Sequence, residues 1–277
     1  MQELITPHNS IFRINLKELW NYRDLLAIWV KRDISSIYKQ TILGPVWFFL
    51  QPVLATVTYI IIFRKIANFS TSGMPSVLFY LTGIILWGYF AECIVKTSSF
   101  LKDNNQIFSK VYFPRLIIPL SIIVTNLIKF AIQFLLFIAV YIYFYFSGDS
   151  IQPSFSILLF PVLILFVAVL GLGIGLIVAA ATIRYKDLSH LIVFGVQLMM
   201  FVSTVFFPLD SMGAGNYKNL IMLNPMSGFI EAFRFLFSGN GSLNQGVLLY
   251  DCLFAVFALG IGVLLFNHTE KTFVDTI

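Results

Sequence analysis

An all-α integral membrane protein is the fold class the sequence predicts, and three observations predict it. Of 277 residues, 58% are hydrophobic and only 11% are charged, with 30 Phe, whereas a soluble domain is about half apolar and a quarter charged. Six apolar runs approach the roughly 20 residues that cross about 30 Å of hydrocarbon at 1.5 Å per residue. Basic residues gather in alternate connections between those runs, the asymmetry that orients a multi-pass chain. A transmembrane barrel needs short alternating strands separated by turns, and the long uninterrupted runs exclude it.

The elements follow in chain order. The first 15 residues include Glu3, Pro7, His8 and Asn9 without an apolar core, so no cleavable signal peptide is expected and the first span directs insertion. From Leu16 to Tyr38, apolar residues recur near helical spacing (Leu16, Leu19, Leu26, Val30, Ile34) between Lys17, Asp24, Lys31 and Lys39. This pattern predicts one amphipathic helix lying on the membrane surface, with Trp20, Tyr22 and Trp29 at the interface. The expected organisation is a single transmembrane domain: 1–40 interface helix, 41–266 six-span bundle and 267–277 tail.

Gly44 and Pro45 mark the turn into the first span, Pro45 to Phe63, which Pro52 should kink. The second span, Val77 to Val95, runs into a basic loop in which Pro114 and Pro119 end one helix and start the next. The third run, Leu116 to Phe146, is too long for a perpendicular crossing, so it tilts or projects. Its Asn126, Lys129 and Gln133 share one face, and a mid-membrane lysine costs about 2.5–3.5 kcal/mol on an insertion scale unless it snorkels or finds water or a partner. That face therefore meets a neighbouring helix or lines a channel. The fourth run, Ile157 to Ile183, holds GLGIG at Gly171 to Gly175. No strand precedes it, so these glycines predict close helix packing and not nucleotide binding. The fifth run, Leu191 to Pro208, precedes a stretch apolar enough for short re-entrant helices, broken at Asn224 and Pro225. Glu231 and Arg234, three apart, are expected to form a low-value exposed pair. The sixth run is Val247 to Phe266.

With the N-terminus inside, the inner basic set is Arg13, Lys17, Arg23, Lys31, Arg32, Lys39, Lys96, Lys102, Lys110, Arg115, Arg184, Lys186 and Lys271, against only Arg64, Lys65, Lys218 and Arg234 outside. Both termini are thus expected in the cytoplasm. The net charge of +5 then faces anionic headgroups, and no nucleic-acid partner is expected. Cys93 and Cys252 fall inside spans at unrelated spacing and predict packing, not a disulfide or metal site. No GxxxxGK[ST] loop, HExxH or serine elbow occurs. Among acidic residues only Glu92 is expected inside a span, without an acidic companion for acid–base work. The chain is therefore expected not to be an enzyme, to carry no cofactor, and to need ATP hydrolysis, if any, from another polypeptide.

LGPVWFFLQP after a basic amphipathic helix, KVYFPRLIIP after the second span, RYKDL after the fourth, LNPMSGFIEAFR before the sixth and a TEKTFVDTI tail together resemble the ABC transporter permeases of the polysaccharide export family. These are the type 2 permeases of O-antigen, capsule and teichoic acid export. The resemblance covers nearly the whole chain. It implies a homodimer in the bacterial cytoplasmic (inner) membrane, two copies of a separate subunit that binds ATP and Mg, and a polyprenyl-pyrophosphate-linked glycan as cargo. A type 2 permease for a drug or small lipid shares the span plan and is the nearest alternative. A membrane enzyme acting on polyprenyl lipid is the more distant one.

By that resemblance Lys110, Tyr112, Phe113, Pro114 and Arg115 form the coupling element to the ATPase, supported by Asp187, Glu270 and Phe273. Arg23, Arg32 and Lys39 are candidates for the lipid-pyrophosphate entrance, though a plain anchoring role for this helix stays open. Asn126, Lys129, Phe130, Gln133, Phe134, Phe137, Tyr141, Phe201 and Phe206 are candidates for the channel lining, with packing as the alternative for each ring. Asn224, Pro225, Glu231 and Arg234 would close the outer mouth.

Overall fold

The computed structural model describes residues 16–39, 44–104, 107, 113–148, 155–182, 187–209, 216–239 and 244–274, and every regular element among them is helical. The interface helix is two pieces, α1 (Leu16–Asn21) and α2 (Arg23–Lys39), with Tyr22 at the break. Gly44, at φ 48°, turns the chain where a side chain would be strained. A short 3₁₀ turn, Gly44–Val46, then leads into α3 (Trp47–Tyr59), which runs through Pro52 and widens to a π-helix over Ile60–Ile66.

The long helices α4 (Ser76–Asp103) and α5 (Ile117–Phe146) measure about 42 and 45 Å at 1.5 Å per residue. The latter bears out the expectation that the third run exceeds one perpendicular crossing. Pro119 occupies the first turn of α5, where its missing N–H costs nothing. Helix α6 (Phe160–Thr182), entered through a 3₁₀ turn at Phe155–Leu159, and the last helix, α10 (Gln245–Val274), complete the set. With α3 and its π extension, these give five helices long and apolar enough to cross a membrane.

The glycines of the fourth run explain how these helices nest. Gly171 and Gly175, four apart, present one face of α6 to α4, and a Cβ there would strike Cys93 and Thr97. Gly173 lies on the opposite face, where a Cβ would reach the Leu259 backbone N of α10 at 2.5 Å. Gly262 of α10 answers against the Gly173 carbonyl. Backbones can approach this closely only where side chains are missing, so α6 is held between α4 and α10.

The fifth apolar run behaves differently from a plain span. Helix α7 (Leu188–Phe201) stops after 14 residues, about 21 Å, and beyond the exposed Val202 the chain continues as turns buried from Ser203 to Phe206. The short helices α8 (Asn216–Met222) and α9 (Pro225–Ser238) follow. Asn224 caps α9 by accepting from the Met226 N–H at 3.1 Å, Pro225 takes the first helical position, and Gly239 closes it in the left-handed conformation at φ 67°. Nearly all of α9 is buried, so it is a core element of the bundle.

Two apolar clusters divide the interior. One, rich in rings, joins the start of α4 to α5, α6, α9 and the start of α10. The other brings Trp29 of α2 against Phe100, Phe113, Ile117, Leu176 and Phe266 at the opposite end of the bundle. One acidic residue escapes the sequence expectation. Asp251, as well as Glu92, lies within a spanning helix, and Asp251 is fully buried in α10.

Candidate functional site

Where α7 breaks, its last carbonyls have lost their helical partners and must find others. Asn224 supplies some of them. Its Nδ2 donates to the Val202 carbonyl at 2.9 Å and to the Met199 carbonyl at 3.4 Å, while the Thr204 hydroxyl donates to the Ser227 carbonyl at 3.0 Å. Arg234 supplies the rest. Its Nη1 reaches the Thr204 carbonyl at 2.7 Å and Glu231 Oε1 at 3.1 Å, and its Nη2 reaches the carbonyls of Val205 at 3.1 Å and Phe79 at 3.2 Å. The guanidinium also lies 3.5 Å from the Phe79 ring centroid, in a space left open because position 83 has no side chain.

Arg234 is thus only 4% exposed, and the expected low-value surface pair with Glu231 is a junction inside the fold. The planar fork is what lets one side chain serve carbonyls from two elements.

Beside this junction, Tyr59 and Phe63 of the first span meet Phe206 with ring centroids at 4.9 and 4.5 Å, and Phe201 stacks on Phe206 at 5.2 Å. Phe206 is buried and Phe201 is 53% exposed. The other rings expected along the path lie inside the subunit. Phe130, Phe134, Phe137 and Tyr141 of α5 form a column against Phe160, Phe233 and Phe237, and the Tyr141 hydroxyl donates to the Phe237 carbonyl at 2.9 Å. Flat apolar rings fill such an interior without polar cost; the column fastens α9 to α5 and α6.

The polar face of α5 turns toward α4. Lys129 Nζ lies 2.7 Å from Glu92 Oε2, and Lys96 lies 3.2 Å from the same oxygen. Asn126 Nδ2 contacts Cys93 Sγ at 3.8 Å. Gln133 is half-buried. The costly mid-helix lysine therefore has a carboxylate partner on the neighbouring helix.

At the α2 end, Phe113 is 6% exposed and packs on Trp29 with ring centroids 6.4 Å apart. Pro114 and Arg115 are half-buried, and Asp187 is exposed, its carbonyl accepting from the His190 and Leu191 N–H groups at the start of α7. Arg23 is exposed; Arg32 pairs with Asp33 at 2.7 Å and lies 3.8 Å from the Trp29 ring centroid. Lys110 and Tyr112 lie outside the described residues, as do the side chains of Lys39, Glu270 and Phe273. Trp29, Tyr59, Phe63, Thr204 and Asp251 were not singled out for these roles by sequence reasoning. Only Asp251 carried a visible signal, a lone carboxylate in the apolar stretch VLLYDCLF. Among the described residues no cluster of His, Cys, Asp and Glu converges to hold a metal.

The site thus joins a bundle of apolar helices, a broken fifth run and a buried short helix before the last span. Over 263 residues the chain is 26% identical to an O-antigen export system permease protein RfbA of Myxococcus xanthus, covering 95% of this chain and 98% of that one. A Klebsiella pneumoniae protein of the same description is 27% identical over 260 residues, 92% of this chain and 95% of its own. The polysialic acid transport protein KpsM of Escherichia coli is 24% identical over 249 residues, 88% and 93% of the two chains. The family profile described as ABC-2 type transporter matches residues 24–238, from the second residue of α2 to the last residue of α9. That match takes in both the Phe113–Trp29 contact and the Arg234 junction, and on it the chain belongs to the ABC-2 type transporter membrane family.

Proposed function

We propose that the chain is the membrane-spanning permease subunit of an exporter that moves a lipid-linked polysaccharide outward, driven by ATP hydrolysed on a separate subunit. The observation that carries this reading is end-to-end similarity, over 88–95% of the chain, to proteins named for O-antigen or polysialic acid export. Both termini and α2 lie on the cytoplasmic side in this reading, and the chain works as a homodimer in the cytoplasmic membrane with two ATP-binding partners.

The geometry suggests how the work is passed. The segment from Lys110 to Arg115 meets the ATPase, with Asp187, Glu270 and Phe273 as further contacts. Phe113 turns inward from it onto Trp29, so movement of that segment is felt by α2 and the start of α5 together. Rigid-body transfer needs a packed contact of this kind. Arg23 and Lys39 are the candidates to meet the cargo diphosphate, whereas Arg32, bonded to Asp33, would bring a carboxylate against that doubly charged group. The path itself follows the exposed face of α7 and α3 near Phe201, completed by the second copy, with Arg234, Glu231, Asn224 and Pro225 fixing the outer end.

Deletion of the gene should remove surface polymer while the lipid-linked glycan accumulates inside, and re-expression should restore export only beside a hydrolysis-competent ATPase partner. Normal surface polymer in the deletion strain, or export that persists when the partner cannot hydrolyse ATP, would overturn the proposal.

A further inference from the structure

Where α2 crosses α4 and α5, a pocket of about 470 Å³ opens, and neither the coupling contact nor the translocation path uses it. Arg32, Asp33 and Ser36 enter it from α2, Lys96, Ser99 and Asp103 from α4, and Thr125 and Asn126 from α5. Among the described residues its charges are two cations, Arg32 and Lys96, and two carboxylates, Asp33 and Asp103, which cancel. Ser99 orients one carboxylate and Arg32 neutralises the other. Ser99 Oγ donates to Asp103 Oδ2 at 2.7 Å, and Asp33 accepts from Arg32 Nε and Nη2 at 2.9 and 2.7 Å.

The inner wall is polar without being satisfied. Thr125 and Asn126 are 3% and 2% exposed, yet Thr125 Oγ1 and Asn126 Oδ1 have no hydrogen-bond partner among the described residues. Buried polar atoms are nearly always paired, so two orphans at one pocket point to a missing ligand. Phe100, Ile118 and Ile122 add an apolar border.

We propose that this pocket holds the headgroup of a resident phosphatidylethanolamine-class phospholipid. Its phosphate lies between Arg32 and Lys96, its ammonium against Asp103, and its glycerol ester oxygens face Thr125, with the acyl chains leaving beside Phe100. An amphipathic helix sits at headgroup depth, so the site is at the right level. The charge balance selects among lipids. A diphosphate has no use for two carboxylates and is repelled by them, and an anionic monophosphate leaves one negative charge uncompensated. A choline headgroup has no N–H to donate to Asp103, and choline sites are built from several rings, whereas among the described residues Phe100 is the one ring lining this pocket. The site is independent of what the protein exports.

Native mass spectrometry of the full-length chain, exchanged into equal amounts of phosphatidylethanolamine, phosphatidylcholine and phosphatidylglycerol, tests the assignment. One phosphatidylethanolamine per chain should be retained about tenfold over the others, the scale of one charge-assisted hydrogen bond. Asp103→Asn should remove that preference, and Arg32→Gln should release the lipid altogether. Ser99→Ala, which leaves every charge in place, should weaken retention partially and serves where the charge variants do not fold. Equal retention of the three lipids, an unchanged preference in both Asp103→Asn and Ser99→Ala, or displacement by an equimolar polyprenyl pyrophosphate would each overturn it.

Discussion

Arg234 and Thr204 are 30 residues apart in sequence and joined by a 2.7 Å hydrogen bond from Nη1 to the carbonyl. That bond, with those to Val205 and Phe79, lets the fifth apolar run stop being a helix inside the protein. An irregular segment at this depth survives only where protein satisfies its backbone. Arg234 ties α9, the turns after α7 and the first turns of α4 into one body.

Removing the guanidinium should therefore cost far more than a surface ion pair. Each carbonyl left without a donor in the interior loses about 1–3 kcal/mol, so Arg234→Met should lower stability by several kcal/mol or prevent membrane accumulation. Arg234→Lys keeps the charge but not the fork and should fall between. Thermal melts of the purified variants read this directly; an Arg234→Met protein melting with the parent would leave the junction without energetic meaning.

The glycine face of α6 makes a sharper spatial claim. Gly173→Leu must push α10 away, since even a Cβ meets the Leu259 backbone N at 2.5 Å. Gly195→Ala in α7 and Gly88→Ala in α4 have open space at the same position. The first should abolish stable expression and the other two should be tolerated, with fluorescence-detected gel filtration as the measure. Monodisperse Gly173→Leu protein would contradict the packing.

Much of this architecture was legible because its causes are local. The glycine spacing, the proline starts of α5 and α9 and the Asn224 break all follow from neighbours in the sequence. What stayed hidden depends on groups brought together from afar. Glu231 and Arg234 look like an ordinary i, i+3 surface pair until the carbonyls of Phe79, Thr204 and Val205 arrive from other elements. Likewise the apolar composition of the fifth run signals burial but not that its helix ends at Phe201. The rings of α5 present the same ambiguity, since a column that packs on α9 and one that lines a channel have identical spacing.

Asp251 offers a test with an unusual sign. Its carboxylate is 0% exposed, neither oxygen has a hydrogen-bond partner among the described residues, and it presses against Gly228 of α9. A buried polar group without a partner destabilises, so Asp251→Ala should hold or raise the melting temperature. Gly228→Ala should lower it because the new Cβ collides with Asp251 Oδ2, and the double variant should recover most of the loss. If Asp251→Ala alone unfolds the protein, the carboxylate has a partner after all.

Phe113 and Trp29 should behave as one unit in coupling. Truncating either ring opens the same contact, so Phe113→Ala and Trp29→Ala should each leave ATP hydrolysis by the assembled complex while reducing export several-fold. Combined, they should lose little more than one alone, because contacting residues are non-additive. Export and hydrolysis measured at matched protein levels separate this from simple instability. Additive losses, or normal export in both single variants, would remove the contact from the coupling route.

Glu92, Lys96 and Lys129 form a group in which one carboxylate serves two cations at 3.2 and 2.7 Å. Lys129 is the more buried of the close pair, with 13% of its side chain exposed against 48% for Glu92, and that asymmetry sets the order of effects. Lys129→Met withdraws a buried charge and leaves Glu92 with Lys96, so the cost should stay near the 0–1 kcal/mol of an exposed pair. Glu92→Gln instead leaves Lys129 in the interior facing a second lysine, and an uncompensated buried charge costs about 3–5 kcal/mol, reduced here by the partial exposure of Glu92. Glu92→Gln should thus melt well below Lys129→Met, and the double variant should return to the level of Lys129→Met because the stranded charge is gone. The opposite order would mean that Lys129 already reaches water or headgroups without Glu92, and that the polar face of α5 is held by something other than this carboxylate.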